Sequence, residues 1–296
     1  MTLPLLGTCA LLFAALLSPM TTPAWAEAAV SPSAKADGTK CNYARFRVIV
    51  DVGHTQEVPG AMSARGVPEY EFNLRLAKLI EQNLIEAGFG RTVLMVTGEP
   101  SRAGLHKRVT RANGLNADLF LSIHHDAVPD RLIETWQYEG QERHFSDRFH
   151  GHSIFISEDN PDVRGSLLFG KLLGEQLKAR GLQYTPHYTQ PIMRSRQREL
   201  LDAKAGVYRY DQLIVLRETR MPAVLLEAGS IVNRDEELLL GTPEHQSLIA
   251  AAATDAVTAF CAARSPIRQA NPVKPEPVRA LERTGSRRRH GLSLEN

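Results

Sequence analysis

At 296 residues, 43% of them hydrophobic and 23% charged, the chain has the balance of a globular protein and not of a disordered one. It is long enough for one generous domain or two small ones. A formal net charge of +2 gives no argument for nucleic acid as a partner.

The N-terminus differs in kind from the rest of the chain. Residues 5–17 are an apolar run, broken by Pro19 and followed by Ala24-Trp25-Ala26. A short hydrophobic core leading to small residues in an A-x-A pattern reads as a secretory signal over residues 1–26, cleaved after Ala26, although no Lys or Arg precedes the run. The run is shorter than the roughly 20 apolar residues that a spanning helix needs, and no other stretch is expected to cross a membrane. Residues 27–40, rich in Ala, Ser, Pro and Lys, read as a flexible leader. At the other end Pro266, Pro272, Pro275 and Pro277 precede Arg287, Arg288 and Arg289, with few apolar residues, which predicts a disordered basic tail over 264–296. Cys9 leaves with the signal. Export puts Cys41 and Cys261 where disulfides persist, and they are either one bridge tying the ends of the domain or two separate thiols.

Between these ends, over residues 41–263, strand and helix patterns alternate. Residues 45–51 (RFRVIVD) are a β-rich apolar run. Residues 69–87 come next, with Phe72, Leu76, Leu79, Ile80 and Leu84 at helical spacing and Gly88 just past the end. A strand is expected at 92–97, a helix at 105–115 and a buried strand at 118–124. Then come a strand at 152–157, a helix at 166–180, short strands at 213–216 and 223–227, and an Ala-rich helix at 243–262. This alternation predicts a single α/β domain with a mixed, mostly parallel central sheet flanked by helices on both faces. In such sheets ligands bind where loops leave the C-terminal ends of the strands. His54 follows the first strand, His124 ends the third and Glu227 ends the last, so all three belong to one edge of the sheet.

Taken singly, most of these residues are ordinary. A His after a strand is more often a hydrogen-bonded surface residue than a ligand, and Glu69 at a helix start complements the helix dipole. Glu227 is harder to dismiss. Flanked by Val224, Leu225, Leu226 and Ala228, its carboxylate faces a desolvation penalty unless it is paired or placed at a polar site. Taken together, His54, Glu69 and His124 make the two-imidazole, one-carboxylate set used by catalytic zinc, with a fourth position for water. Zinc lowers the pKa of that water to about 7 and polarises a carbonyl. A carboxylate off the metal is then needed to take the water's proton and deliver it to the leaving nitrogen, a role that suits Glu227.

Longer motifs run through the same region. They are Val48-Ile49-Val50-Asp51-Val52-Gly53-His54, Gly60-Ala61, Glu69-Tyr70-Glu71-Phe72-Asn73-Leu74, Arg108-Val109 with Ala112-Asn113, residues 117–124 (ADLFLSIH) and residues 221–229 (MPAVLLEAG). In these motifs, spread over about residues 45–262, the chain resembles the zinc-dependent N-acetylmuramoyl-L-alanine amidases of the amidase 3 type. The resemblance implies hydrolysis of the amide between the lactyl group of N-acetylmuramic acid and the L-alanine of the stem peptide. It implies one zinc ion held by His54, Glu69 and His124, with Glu227 as the catalytic carboxylate. Peptidoglycan or muropeptides are then the expected partner, an activator protein is left open, and the enzyme is exported, periplasmic or otherwise extracytoplasmic. Two other readings compete: a zinc carboxypeptidase or other amidohydrolase acting on another amide, and a catalytically silent cell-wall-binding module. A binding module has little need of Glu227.

Departures from the family pattern cluster near the expected cleft. Thr55-Gln56 replace a Gly pair, His125-Asp126 stand where Ala-Asn or Ala-Asp is usual, and Ser230 comes after Glu-x-Gly. On a continuing strand His125 points away from His124, which predicts a structural role. The long insertion of the cell-division members is absent after residue 157, where only 158–162 (EDNPD) precede the next helix. The long irregular segment is 183–211, with Arg194, Arg196 and Arg198. It reads as a lid or a stem-binding loop, or as a solvated loop with a short helix at 197–203. In 128–151, Trp136, Tyr138, Phe145 and Phe149 either cover core or stack on sugar rings. His150 and His152 form an H-x-H pair with no carboxylate or Cys nearby, and no second metal is expected there.

Overall fold

The computed structural model of the protein describes residues 41–98 and 102–264. The expected signal (1–26) and leader (27–40), and the expected tail beyond Arg264, lie outside the described residues.

Strands form where β-branched and aromatic residues run together, and helices where apolar residues recur every three or four. In chain order the elements are β1 (Val48–Val52), α1 (Glu69–Glu86), β2 (Val93–Met95), α2 (Arg102–Gly114) and β3 (Leu119–Asp126). Then come β4 (Glu134–Tyr138), β5 (Gln141–Phe145), β6 (Ser153–Ile156), α3 (Val163–Ala179), β7 (Leu200–Asp202) and β8 (Val207–Arg209). The last four are α4 (Ile214–Arg217), β9 (Ala223–Ser230), α5 (Arg234–Leu240) and α6 (Pro243–Arg264). A seven-stranded sheet has the order β2-β1-β3-β9-β6-β8-β7, and β4 and β5 make a separate hairpin. β1 pairs in parallel with β2 and β3, β3 with β9, and β6 with β8. The β6–β9 and β7–β8 pairings are antiparallel. The sheet is therefore mixed and mostly parallel, as expected.

Helices cover both faces. Alternate strand residues Val48, Val50, Leu121, Ile123, Val224 and Leu226 pack with α1, α3 and α6. Their neighbours Ile49, Phe120, Phe155, Ala223 and Leu225 pack on the other face with α2, α4 and the segment carrying Tyr188 and Met193. Central strands buried on both faces read as nearly continuous apolar runs, and β1 is buried at all five positions.

Three local expectations are corrected. At 213–216 a strand is expected, but Ile214–Arg217 is one turn of helix. Its apolar run has no period to tell helix from strand. Asn160, which donates from Nδ2 to the carbonyls of Leu216, Thr219 and Met221, satisfies the end of the turn. The short helix that the solvated-loop reading puts at 197–203 is absent, and edge strand β7 (Leu200–Asp202) lies there. There Asp202 Oδ1 accepts from the amides of Lys204 and Ala205, which turns the chain back into β8. Last, α6 is long and apolar enough by length and composition to cross a membrane, with a window of mean hydropathy 1.3. Its apolar side is occupied within the domain, where Ile249, Ala253, Val257 and Phe260 are buried. The helix also runs through Arg264, the first residue assigned to the tail.

Cys41, ahead of β1, is bonded to Cys261 near the end of α6, with Cα atoms 5.4 Å apart and 220 residues between them in sequence. Closing so long a loop restricts the unfolded chain, and removing such a bond typically costs about 2–5 kcal/mol. Chemical unfolding of the oxidised protein, the reduced protein and the Cys41→Ser/Cys261→Ser double variant is expected to show that loss in both cross-link-free forms. Equal midpoints for all three would contradict it.

Candidate functional site

The site begins where β1 ends. The chain passes through Gly53 to His54, whose φ of 64° is left-handed. A residue other than glycine held there stores about 1–3 kcal/mol of strain. Arg108 of α2 braces it, donating to the His54 carbonyl at 3.0 Å, to Asp51 Oδ2 at 3.2 Å and to Thr97 Oγ1. Ser122 of β3 donates to the same Asp51 oxygen at 2.7 Å. Asp51 is fully buried. Burial raises its carboxyl above the ordinary range, and the Arg108 charge opposes that rise.

Glu69 enters from the first turn of α1. Its Oε2 lies 2.9 Å from His54 Nε2 and its Oε1 3.1 Å from His124 Nδ1. The two imidazoles meet at 70° with centroids 4.9 Å apart. One ligand atom from each of His54, Glu69 and His124 lies within 4.8 Å of the others. Among the described residues, no other three His, Cys, Asp or Glu side chains converge in this way. Two glycines make room for them. A Cβ on Gly53 would stand 2.4 Å from His124 Nε2, and one on Gly60, whose φ is +81°, would stand 2.4 Å from Glu69 Oε2. Two imidazoles and a carboxylate facing a cleft fit a divalent zinc with a position left for water.

Neighbours fix these side chains. Asn73, one helical turn after Glu69, donates from Nδ2 to Glu69 Oε1 at 3.1 Å and to the Gly53 carbonyl at 3.2 Å. Its Oδ1 lies 2.8 Å from His125 Nδ1. The His125 ring therefore meets α1, 5.5 Å from Phe72, while the residue still borders the cleft and its amide donates to Glu69 Oε1 at 3.3 Å. Burial lowers its pKa to about 3, so it stays neutral.

Glu227 lies beside His124 in the β3–β9 register. Its Oε2 is buried without a hydrogen-bond partner. Burial, then the nearby Asp126 and Glu69 carboxylates, raise the Glu227 carboxyl well above the ordinary range. Immediately afterwards the register shifts, so that Asp126 pairs with Ser230 and β9 carries one extra residue. Such bulges re-aim side chains beside active sites. Asp126 Oδ1 accepts from the Tyr188 hydroxyl at 2.8 Å.

These groups line a cleft of about 460 Å³ that also includes Tyr188, Arg196, Arg198 and Tyr210. An apolar recess of about 290 Å³ adjoins it, sharing His54, His124, Leu213 and Leu225 and adding Val58, Leu105 and Val215. A cavity of about 530 Å³ at the opposite strand ends, lined by Asn42, Arg45, Asp118 and Pro222, contains none of the candidate residues.

The residues that depart from the family pattern have local work. Thr55 Oγ1 accepts from the Val58 amide at 3.0 Å and closes the turn after His54. Ser230 donates its amide to Glu236 Oε2 at 2.8 Å, which also takes the Gly151 amide. Segment 183–211 is a wall of the cleft and not a solvated loop: Met193 is fully buried, and Arg196 donates to the Ala127 carbonyl at 2.7 Å. Segment 128–151 contains the β4–β5 hairpin, where Arg65 and Arg234 stand over the Trp136 ring at 5.5 and 5.1 Å. Its indole donates to the Ala64 carbonyl at 3.0 Å, and Phe149 packs with Val128 and Val232. His152 is buried with neither ring nitrogen bonded, whereas His150 is exposed.

Residues 48–259 match the Amidase_3 family of N-acetylmuramoyl-L-alanine amidases, and the chain belongs to that family. Among curated relatives, the N-acetylmuramoyl-L-alanine amidase AmiC of Escherichia coli is 26% identical over 240 residues, covering 73% of this chain and 52% of AmiC. AmiA of Escherichia coli is 26% identical over 247 residues, covering 77% of this chain and 79% of AmiA. The chain thus spans about half the length of one relative and about four fifths of the other. The crystal structure of the N-acetylmuramyl-L-alanine amidase Ami1 from Mycobacterium smegmatis shares the fold, with a TM-score of 0.57 and 18% identity over 75% of this chain and 100% of that one.

Arg108→Leu leaves Asp51 buried without its counter-charge and frees the His54 carbonyl. Breaking a buried pair from one side costs about 3–5 kcal/mol. Unfolding experiments are expected to show a loss of that order, larger than for Arg75→Leu, whose partner Glu71 is exposed and 4.0 Å away.

Proposed function

We propose that the chain is an exported, zinc-dependent peptidoglycan hydrolase, periplasmic or otherwise extracytoplasmic, that cleaves the amide between N-acetylmuramic acid and the L-alanine of the stem peptide. The observation that carries this reading is the convergence of His54, Glu69 and His124 beside the unbonded, buried Oε2 of Glu227, in a member of this family. In it, His54, Glu69 and His124 hold one zinc ion, which when bound supplies Lewis acidity toward the amide carbonyl and acidifies a water.

The remaining chemistry falls to the chain. Glu227 takes a proton from the attacking water at Oε2 as a C–O bond forms at the lactyl carbonyl carbon. It then gives that proton to the alanine nitrogen as the C–N bond breaks, leaving a lactyl carboxylate and a free amine. A carboxyl raised above its ordinary range suits this double duty, because it is a stronger acceptor when ionised and holds the proton for the second transfer. Asn73 and Arg108 position Glu69 and His54 and touch no reacting atom. Export is supported by the apolar run and A-x-A pattern of residues 1–26, and by a Cys41–Cys261 bond that suits an oxidising compartment.

Glu227→Gln is expected to lower turnover by about 10²–10⁴-fold while zinc stays bound. His54→Ala or His124→Ala is expected to lose both metal and activity. Mass spectrometry of muropeptides, together with metal analysis of each variant, checks both, and full activity in Glu227→Gln would sink the mechanism. Products lacking a new lactyl carboxylate would assign the site to a different amide.

A further inference from the structure

Two arginines in the cleft are neither metal ligands nor the proton-transferring group, although the Arg196 charge favours the ionised Asp126 and Glu227 carboxyls. Arg196 and Arg198 line the same cavity as Glu227, on segment 183–211. Other arginines nearby are committed: Arg65 to Glu237 at 2.7 Å, Arg108 to Asp51 at 3.2 Å, and Arg209 to Asp211 at 2.5 Å. Arg196 Nη1 donates to the Ala127 carbonyl at 2.7 Å, and Arg198 Nη1 to the carbonyls of Ser195 and Gln197 at 2.9 Å. Among the described residues, neither stands within 4.0 Å of a carboxylate oxygen. Each guanidinium keeps its Nη2 without a hydrogen bond to the described residues.

These cations are held in place. Arg198 lies over the Tyr210 ring at 4.0 Å, and its Nε is buried without an acceptor. The backbone that carries them is pinned to the exit of β3 by the Tyr188 hydroxyl on Asp126 at 2.8 Å and by Arg131 donating to the Ile192 carbonyl. A ligand therefore meets Arg198 already oriented, with little rotamer freedom to lose on binding, beside the more exposed Arg196. The adjoining recess is lined by Val58, Leu105, Val215 and Leu225, and its arginine, Arg108, is spent on Asp51. The cleft and the recess share His54 and His124 and differ in chemistry, the arginines lining the one and apolar side chains most of the other. The carboxylates of Glu69, Asp126 and Glu227 repel an anion from the cleft floor, and exposed Asp130 does so at one part of the rim. Arg196 and Arg198 are the arginines in that lining. A planar guanidinium fork matches a carboxylate better than any neutral amide.

We propose that Arg196 and Arg198 form a carboxylate-binding subsite on the peptide side of the scissile bond, so that the cleft selects an N-acyl-L-alanyl peptide whose next residue carries a free carboxylate over one in which it is amidated. This selectivity rests on the amidase reading for the bond cleaved, but binding can be measured apart from cleavage.

Two muramoyl dipeptides test it, N-acetylmuramoyl-L-alanyl-D-glutamate and the same compound with both glutamate carboxylates amidated. Hydrolysis is compared for the zinc-loaded protein and for Arg196→Gln, Arg198→Gln and the double variant. Alongside, calorimetry compares L-alanyl-D-glutamate with its diamide, neither of which contains the scissile bond. The unaltered protein is expected to favour the charged member by about 10–100-fold in kcat/KM and by about tenfold or more in Kd. In the double variant both ratios are expected to fall to about one. No preference in the unaltered protein overturns the subsite. So does a ratio that survives the double substitution, which would mean that the charge preference arises elsewhere in the cleft. Charge-dependent binding without any hydrolysis would overturn the amidase reading and leave the subsite standing.

Discussion

Everything at the site hangs on the in-register parallel pairing of β1, β3 and β9. That pairing sets Asp51 beside Ser122 and His124 beside Glu227. Side chains alternate across a sheet, so a slip of one residue would exchange the two faces of a strand. His124 would then enter the packing against α1, and His125 would replace it in the cleft. The apolar layers on both faces prevent this, because Val, Ile and Leu at the alternate positions are buried at once by helices on either side. The chemistry is in this sense a by-product of the core: once the strands are in register, the polar residues at their ends have nowhere else to point.

The same packing holds a site that is locally unfavourable. His54 is strained, Asp51 is buried, and Glu227 keeps one oxygen without a partner. Each would relax if the surroundings allowed it. Arg108 counters the first two together, reaching both the His54 carbonyl and the Asp51 carboxylate from a single side chain on α2. Asn73 does the equivalent on the opposite face, joining Glu69, Gly53 and His125. The triad is thus clamped from two helices, whereas Oε2 of Glu227 is held by no hydrogen bond.

Much of this is legible in the sequence. The alternation of β-branched runs with helically spaced apolar residues points to the α/β sheet, and the placement of His54, His124 and Glu227 at strand ends points to a shared edge. Asn73 is readable too, since it lies four residues after Glu69 on the same helical face. The turn at Ile214–Arg217 and strand β7 are harder, because short apolar runs carry no period and are decided by what packs on them. The cleft wall is least legible. Tyr188 meets Asp126, and Arg196 meets Ala127, across more than sixty intervening residues. No local spacing encodes such a contact, although the arginines themselves stand out by number.

The Cys41–Cys261 bond has a mechanical consequence. It joins the two ends of the described domain at the strand ends opposite the cleft, close to Asn42, Phe46 and Pro222. Tension applied through those ends passes along one covalent bond and bypasses the hydrogen-bonded ladder between β1, β3 and β9. Stretching the chain from outside therefore leaves the spacing of His54, Glu69 and His124 unloaded, so the domain can be tethered at both ends without its working face feeling the pull.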